Sequence, residues 1–164
     1  MSPTLRTIPA LRTVLCPVTP PPAPSPPRPT PLVYSLTLPG DPRSAAVARV
    51  AVGSALRAHG LDAYGLVVLL AVTELIATAA RLTPGADLYV SLRHRADDAL
   101  RIVVWDQHPT HRHDPDAETL CADRRRRSLW LLNAAVDDWG GEWGIHEEPQ
   151  PPQRGTKSWV TLPR

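Results

Sequence analysis

Cysteine is scarce in this chain, long apolar runs are missing and charge is nearly balanced, and each shortfall removes a class of protein. Cys16 and Cys121 supply neither a disulfide framework nor the paired spacing of a zinc ribbon, which fits a reducing, cytoplasmic setting. The first residues carry Arg6 and Arg12 but no continuous apolar core of the signal-peptide kind. LVVLLAV at 66–72 is too short to cross a bilayer and runs straight into Thr73 and Glu74, so no membrane partner is expected. A net charge of +2 is small, and Lys157 is the only lysine against seventeen arginines. The one dense basic patch is RRRR at 124–127. With no aromatic-basic module and no helix-turn-helix pattern, nucleic acid is not an expected partner.

Proline is plentiful but unevenly placed. Twelve of the 20 prolines fall within residues 1–40, most densely in PVTPPPAPSPPRPTP at 17–31. Such a segment lacks regular backbone donors and favours extended polyproline II conformations. Residues 1–30 therefore read as a proline-rich disordered tail, and residues 31–164 as one domain, long enough to bury a sizeable core.

Within the domain, LVYSLTL at 32–38 alternates as a strand. Asp41 and Pro42 can open a helix that runs to about His59, with Val47, Val50, Ala51 and Leu56 toward the core, and Gly60 stops it. A second helix over about 63–82, with Asp62 as a candidate cap, is apolar on several faces and should be the buried one. ADLYVSLRHR at 86–95 and ALRIVVWD at 99–106 read as an antiparallel hairpin around Ala96-Asp97-Asp98. Residues 107–123 show no usable period and read as a long loop. A third helix over about 126–138 ends at Trp139-Gly140-Gly141, and strands near 142–147 and 157–162 close the domain. Helices gathered on one face of a mixed, largely antiparallel sheet make an α/β two-layer sandwich. The tryptophans, Trp105, Trp139 and Trp159 among them, read as packing groups at core or edge positions.

Several side chains stand out chemically. Glu74 in VTELIATAARL at 72–82 sits in apolar surroundings, where a carboxylate must face water, pair or coordinate. It is either a solvent-facing residue near Thr78 and Arg81 or part of a cleft. Asp106 ends a strand at a loop mouth, a common place for ligand contacts and for turn residues alike. HPTHRHD at 108–114 offers His108, His111, His113 and Asp114. With no regular element to hold them and no cysteine partner, a polar loop is favoured over a zinc site. The arginines at 124–127, at the start of the third helix, suit either an anion contact or a solvated cluster.

Together LPGDPRSAAVARVAVGSAL, LLAVTELIATAARL, LRIVVWDQHP, RRRRSLWLLNAAVDDWG and GTKSWVTLP resemble, in order and spacing, the histidine-kinase-like ATPase domain of actinobacterial regulators, the group that includes anti-sigma-factor serine kinases. The resemblance implies that fold, with ATP-Mg lying against the sheet. It places Glu74 at the general-base position and Thr78 where an asparagine would hold magnesium. Asp106 falls at the aspartate that bonds adenine. Arg125, Arg126, Arg127 and Ser128 fall on the glycine-rich phosphate loop, and Gly155, Thr156 and Lys157 on the final adenine-side turn. Threonine is a poorer magnesium ligand, and side chains obstruct the approach of backbone amides to phosphate. The expectation is a regulator acting through protein–protein binding, holding a sigma factor or an anti-anti-sigma-type protein, with a homodimer also considered. ATP or ADP binding should be weak or absent, magnesium doubtful and catalysis lost. The alternative is an active ATP-Mg-dependent serine/threonine kinase.

Overall fold

Alternating side chains at 33–39, 87–94, 100–106, 142–148 and 155–162 settle into a five-stranded sheet. The structure is a computed structural model and describes residues 32–109, 111, 113–148 and 154–164. The proline-rich segment at 1–30 and residues 149–153 of the last loop lie outside the described residues. The strands are β1 (Val33–Pro39), β2 (Asp87–His94), β3 (Leu100–Asp106), β4 (Glu142–Glu148) and β5 (Gly155–Leu162). The helices are α1 (Ser44–Ala58), α2 (Gly65–Leu82), α3 (Pro115–Ser128) and α4 (Trp130–Trp139). Strand order is β1-β2-β3-β5-β4, and all four pairings are antiparallel, where a mixed sheet was expected.

One sheet face meets the helices. Leu88, Val90, Leu92, Leu100, Ile102, Val104, Val160 and Leu162 all point there and join Val68, Val72, Leu75 and Ile76 of α2 in one core. By length and composition the stretch Asp62–Leu82 could span a membrane, longer than the seven-residue run that stood out in the sequence. Its Val68, Ala71, Val72 and Ile76 are instead fully enclosed by the fold. The opposite sheet face carries Tyr89, Arg101, Val103 and Trp105 around a shallow cavity of about 860 Å³. There the Arg101 guanidinium stacks 4.3 Å from the centre of the Trp159 ring.

The first helix rolls differently from its expected register. Ala45, Ala48, Val52, Ala55 and Leu56 are buried, whereas Val47 and Val50 are 58% and 71% exposed. Small residues win the inward face because α1 must pack closely on α2 and the sheet. Asp41 does not cap this helix either. Its carboxylate accepts from the Arg43 backbone N–H at 2.8 Å and from the Arg43 side chain, and that side chain holds its pKa down to about 2. Asp62 begins a 3-10 turn with no side-chain cap bond. Gly140, at φ 77°, ends α4 in the left-handed region that glycine adopts without strain.

The largest departure is α3, where a loop was expected over 107–123. Its signals are local. Asp114 accepts from the Ala117 N–H at 3.0 Å, Pro115 takes the first turn, Asp116 and Glu118 follow, and Arg125–Arg127 occupy the last turn. The arginines thus end a helix, where the dipole favours them, instead of opening one. The helix carries no apolar face, so a search for hydrophobic periodicity passes over it.

Burial separates two apolar residues of α2 sharply. Ile76→Ala, at a fully enclosed position, should cost about 2–5 kcal/mol. Leu66→Ala, at a position 87% exposed, should change stability by less than about 0.5 kcal/mol. Urea denaturation of the two variants measures both.

Candidate functional site

The end of β3 delivers Asp106 into the interior, at zero exposure, between the sheet and α3. A buried carboxylate needs a matched partner. Arg125, from the last turn of α3, supplies it in forked geometry: one terminal nitrogen lies 2.6 Å from Oδ2 and the other 3.0 Å from Oδ1. Two parallel charge-assisted bonds of this kind are the strongest arrangement open to the pair. Ser158 of β5 accepts a third bond from Arg125 at 3.3 Å. The backbone N–H of His108 donates to Asp106 Oδ1 at 3.0 Å, which ties the following loop to the same carboxylate. Arg125 is the only buried residue of α3, so an ion pair, not an apolar stripe, seats this helix.

Gly155 and Thr156 come to the same place through strand pairing, Thr156 standing opposite Asp106. A Cβ on Gly155 would collide with the Asp106 carbonyl and stand 2.7 Å from the Trp105 indole nitrogen. That close approach requires glycine. The structure therefore gathers Asp106, Arg125, Gly155 and Thr156, and adds Ser158, which the sequence did not single out. Lys157 projects from the opposite sheet face, where it lines the outer cavity with Trp105. Arg126 and Arg127 are exposed, and Arg126 stands 3.8 Å from Asp123. Ser128 turns back to the Arg124 carbonyl at 3.0 Å.

Glu74 and Thr78 share a flank of α2, one turn apart. Glu74 is half-buried and, among the described residues, makes no hydrogen bond or ion pair. Thr78 is buried, and its hydroxyl accepts from Arg81 at 3.3 Å. No hydrogen bond joins this flank to the Asp106 group among the described residues.

A second cluster lies beside the first. One donor atom each from His108, His111 and Cys121 falls within 4.8 Å of the others, all three residues being half-buried. The imidazoles meet edge to face, centroids 5.3 Å apart. Burial pushes the His108 pKa down, and the neighbouring Arg125 charge adds to the effect, outweighing Asp106. Cys121 is the cysteine partner that the histidine stretch lacks in the sequence. Only the existence of α3 lifts it to the histidines.

No protein-family model and no curated protein matches the chain.

Two outcomes follow from the buried pair. Arg125→Ala strands the Asp106 charge and should cost about 3–5 kcal/mol, against less than about 0.5 kcal/mol for exposed Arg126→Ala. Hydrogen exchange should locate the damage, with amides of residues 116–128 losing protection first. The direction of the His108 shift sets a pH dependence. With its folded pKa below the ordinary value of about 6.5, the unfolded chain takes up that proton first. The associated stability is complete above about pH 6.5 and falls away as pH drops from there toward the folded pKa. An NMR titration in chelator should put the His108 midpoint below about 6.5.

Proposed function

We propose that this protein is a regulator of the anti-sigma, histidine-kinase-like ATPase class that acts by holding a protein partner and does not turn over ATP. The observation that carries the reading is the Asp106–Arg125 pair. By the resemblance, Asp106 is the carboxylate that would meet the adenine amino group. Here both its oxygens are already occupied by a guanidinium from the protein itself. Adenine could reach that carboxylate only by displacing Arg125, which would expose a buried cation and break a forked pair.

The phosphate side agrees. Thr78, at the magnesium position by resemblance, has its hydroxyl bonded to Arg81, a cation where a metal would be needed. Arg125–Ser128, at the place of the phosphate loop, form the last turn of a helix. The backbone N–H groups there are committed to helical bonds, and the turn ends in carbonyls, which repel phosphate. A general base at Glu74 would then have neither metal nor phosphoryl group to act with.

Partner binding has its own support. Leu120 of α3 is 64% exposed, and on α4 Trp130 is 69% exposed with Leu131 next to it in sequence also exposed. Large exposed apolar groups on adjoining helices are the usual anchors of an interface. The partner class is a sigma factor or an anti-anti-sigma-type domain.

Calorimetric titration with ATP and ADP, with and without magnesium, should give no magnesium-dependent binding. Submicromolar affinity that disappears in Glu74→Ala would overturn the reading in favour of a working kinase. Titration with sigma factors and anti-anti-sigma-type domains from the same cell should find a partner whose affinity drops about tenfold or more in Trp130→Ala.

A further inference from the structure

We propose that His108, His111 and Cys121 form a binding site for a zinc-class divalent metal ion. The proposal is independent of the nucleotide reading, since no side chain of the three belongs to that site. Three observations support it: the donor set, the backbone bonds that tie the two histidines, and an unsatisfied nitrogen.

The donors are two imidazoles and one thiol, within 4.8 Å of one another. Around a tetrahedral zinc ion such donors stand roughly 3.3–3.6 Å apart, from bonds of about 2.0 Å to nitrogen and 2.3 Å to sulfur. Modest side-chain rotation closes the difference. A nitrogen and sulfur set selects zinc-class ions over calcium or magnesium, which demand oxygen ligands. Three protein ligands leave a fourth position for water or an exchangeable ligand.

The backbones of both histidines are tied: the His108 N–H donates to Asp106, and the His111 carbonyl accepts from the Asp114 N–H at 2.7 Å. Asp114 in turn caps α3, the helix that carries Cys121. The donor positions are therefore held by the fold before any ion arrives, which lowers the ordering cost of binding. His111 supplies the third point, because its Nε2 is buried without a hydrogen-bond partner. A buried ring nitrogen of this kind is costly to leave unsatisfied, and a metal ion would satisfy it.

Cys121 and Arg125 lie one helical turn apart on the same side of α3. A metal ion held here would fasten the 108–114 segment to the helix whose arginine covers Asp106. It would add a second clamp to a helix otherwise seated by one ion pair. Binding converts the Cys121 thiol to a metal-bound thiolate and releases one proton to solvent.

The test uses the full chain, reduced and stripped with chelator, titrated first with Co²⁺ as a spectroscopic probe and then with Zn²⁺. Saturation at one equivalent is expected, with a thiolate-to-cobalt charge-transfer band and tetrahedral ligand-field bands, all displaced by Zn²⁺. Cys121→Ser should abolish the charge-transfer band, whereas Cys16→Ser should retain it. His108→Ala and His111→Ala should each weaken Co²⁺ binding by about tenfold or more. A second readout needs no variant: Zn²⁺ should slow alkylation of Cys121 in the wild-type chain and leave Cys16 unprotected. No saturable band, a band that survives Cys121→Ser, or equal protection of both cysteines would overturn the proposal.

Discussion

The buried pair between Asp106 and Arg125 is the contact on which the rest of this site depends. A carboxylate at zero exposure cannot stay ionised without a partner, and the forked guanidinium answers both of its oxygens. The partner comes from a helix with no other buried residue. The pair therefore neutralises a charge that β3 carries inside and positions α3 across the end of the sheet. Ser158 and the His108 N–H complete the network, so strand β5 and the loop after β3 are registered against the same two charges. Gly155 makes room for it, because any side chain there would strike the Asp106 carbonyl.

This arrangement shapes what the protein can do. A polar helix held by one internal ion pair costs its arginine's hydration and gains little from apolar burial. Its stability is local, and it is suited to opening before the core does. Both candidate functional features lie on it or beside it: the buried Asp106–Arg125 pair, and the histidine–cysteine cluster one turn earlier. The core formed by α1, α2, α4 and the inner sheet face is of another kind, with aliphatic side chains packed at or near zero exposure. The aliphatic part is the scaffold, and the polar helix presents the buried ion pair and the histidine–cysteine cluster.

The histidines illustrate how a site hides from sequence. HPTHRHD reads as polar loop because its metal-like pattern lacks a cysteine partner and a supporting element. The missing element is α3, and its end signals, Asp114-Pro115 at one end and a basic turn at the other, were legible. Its interior showed nothing, since a helix without an apolar stripe has no hydrophobic period to detect. Without α3, the arginines stand at the start of the next helix and Cys121 has no neighbour. The same mechanism misplaced Val47 and Val50, where helix existence was plain but its roll about the axis depended on which small residues could approach α2.

By itself the sequence determined the five strands, the alternation that sends Leu88, Val90, Ile102, Val104 and Val160 to one face, and the burial of α2. These are properties of local period, and backbone geometry converts them directly into faces. It also marked Asp106 as a strand-end acid at a loop mouth. Only the tertiary structure decided that the carboxylate answers to Arg125, that Arg126 and Arg127 beside it remain in water, and that Cys121 stands next to His108 and His111. Those meetings join residues 10 to 19 positions apart through the way a helix crosses the end of a sheet. The crossing follows from the summed packing of the domain and the desolvation of a single carboxylate, and no local pattern records it.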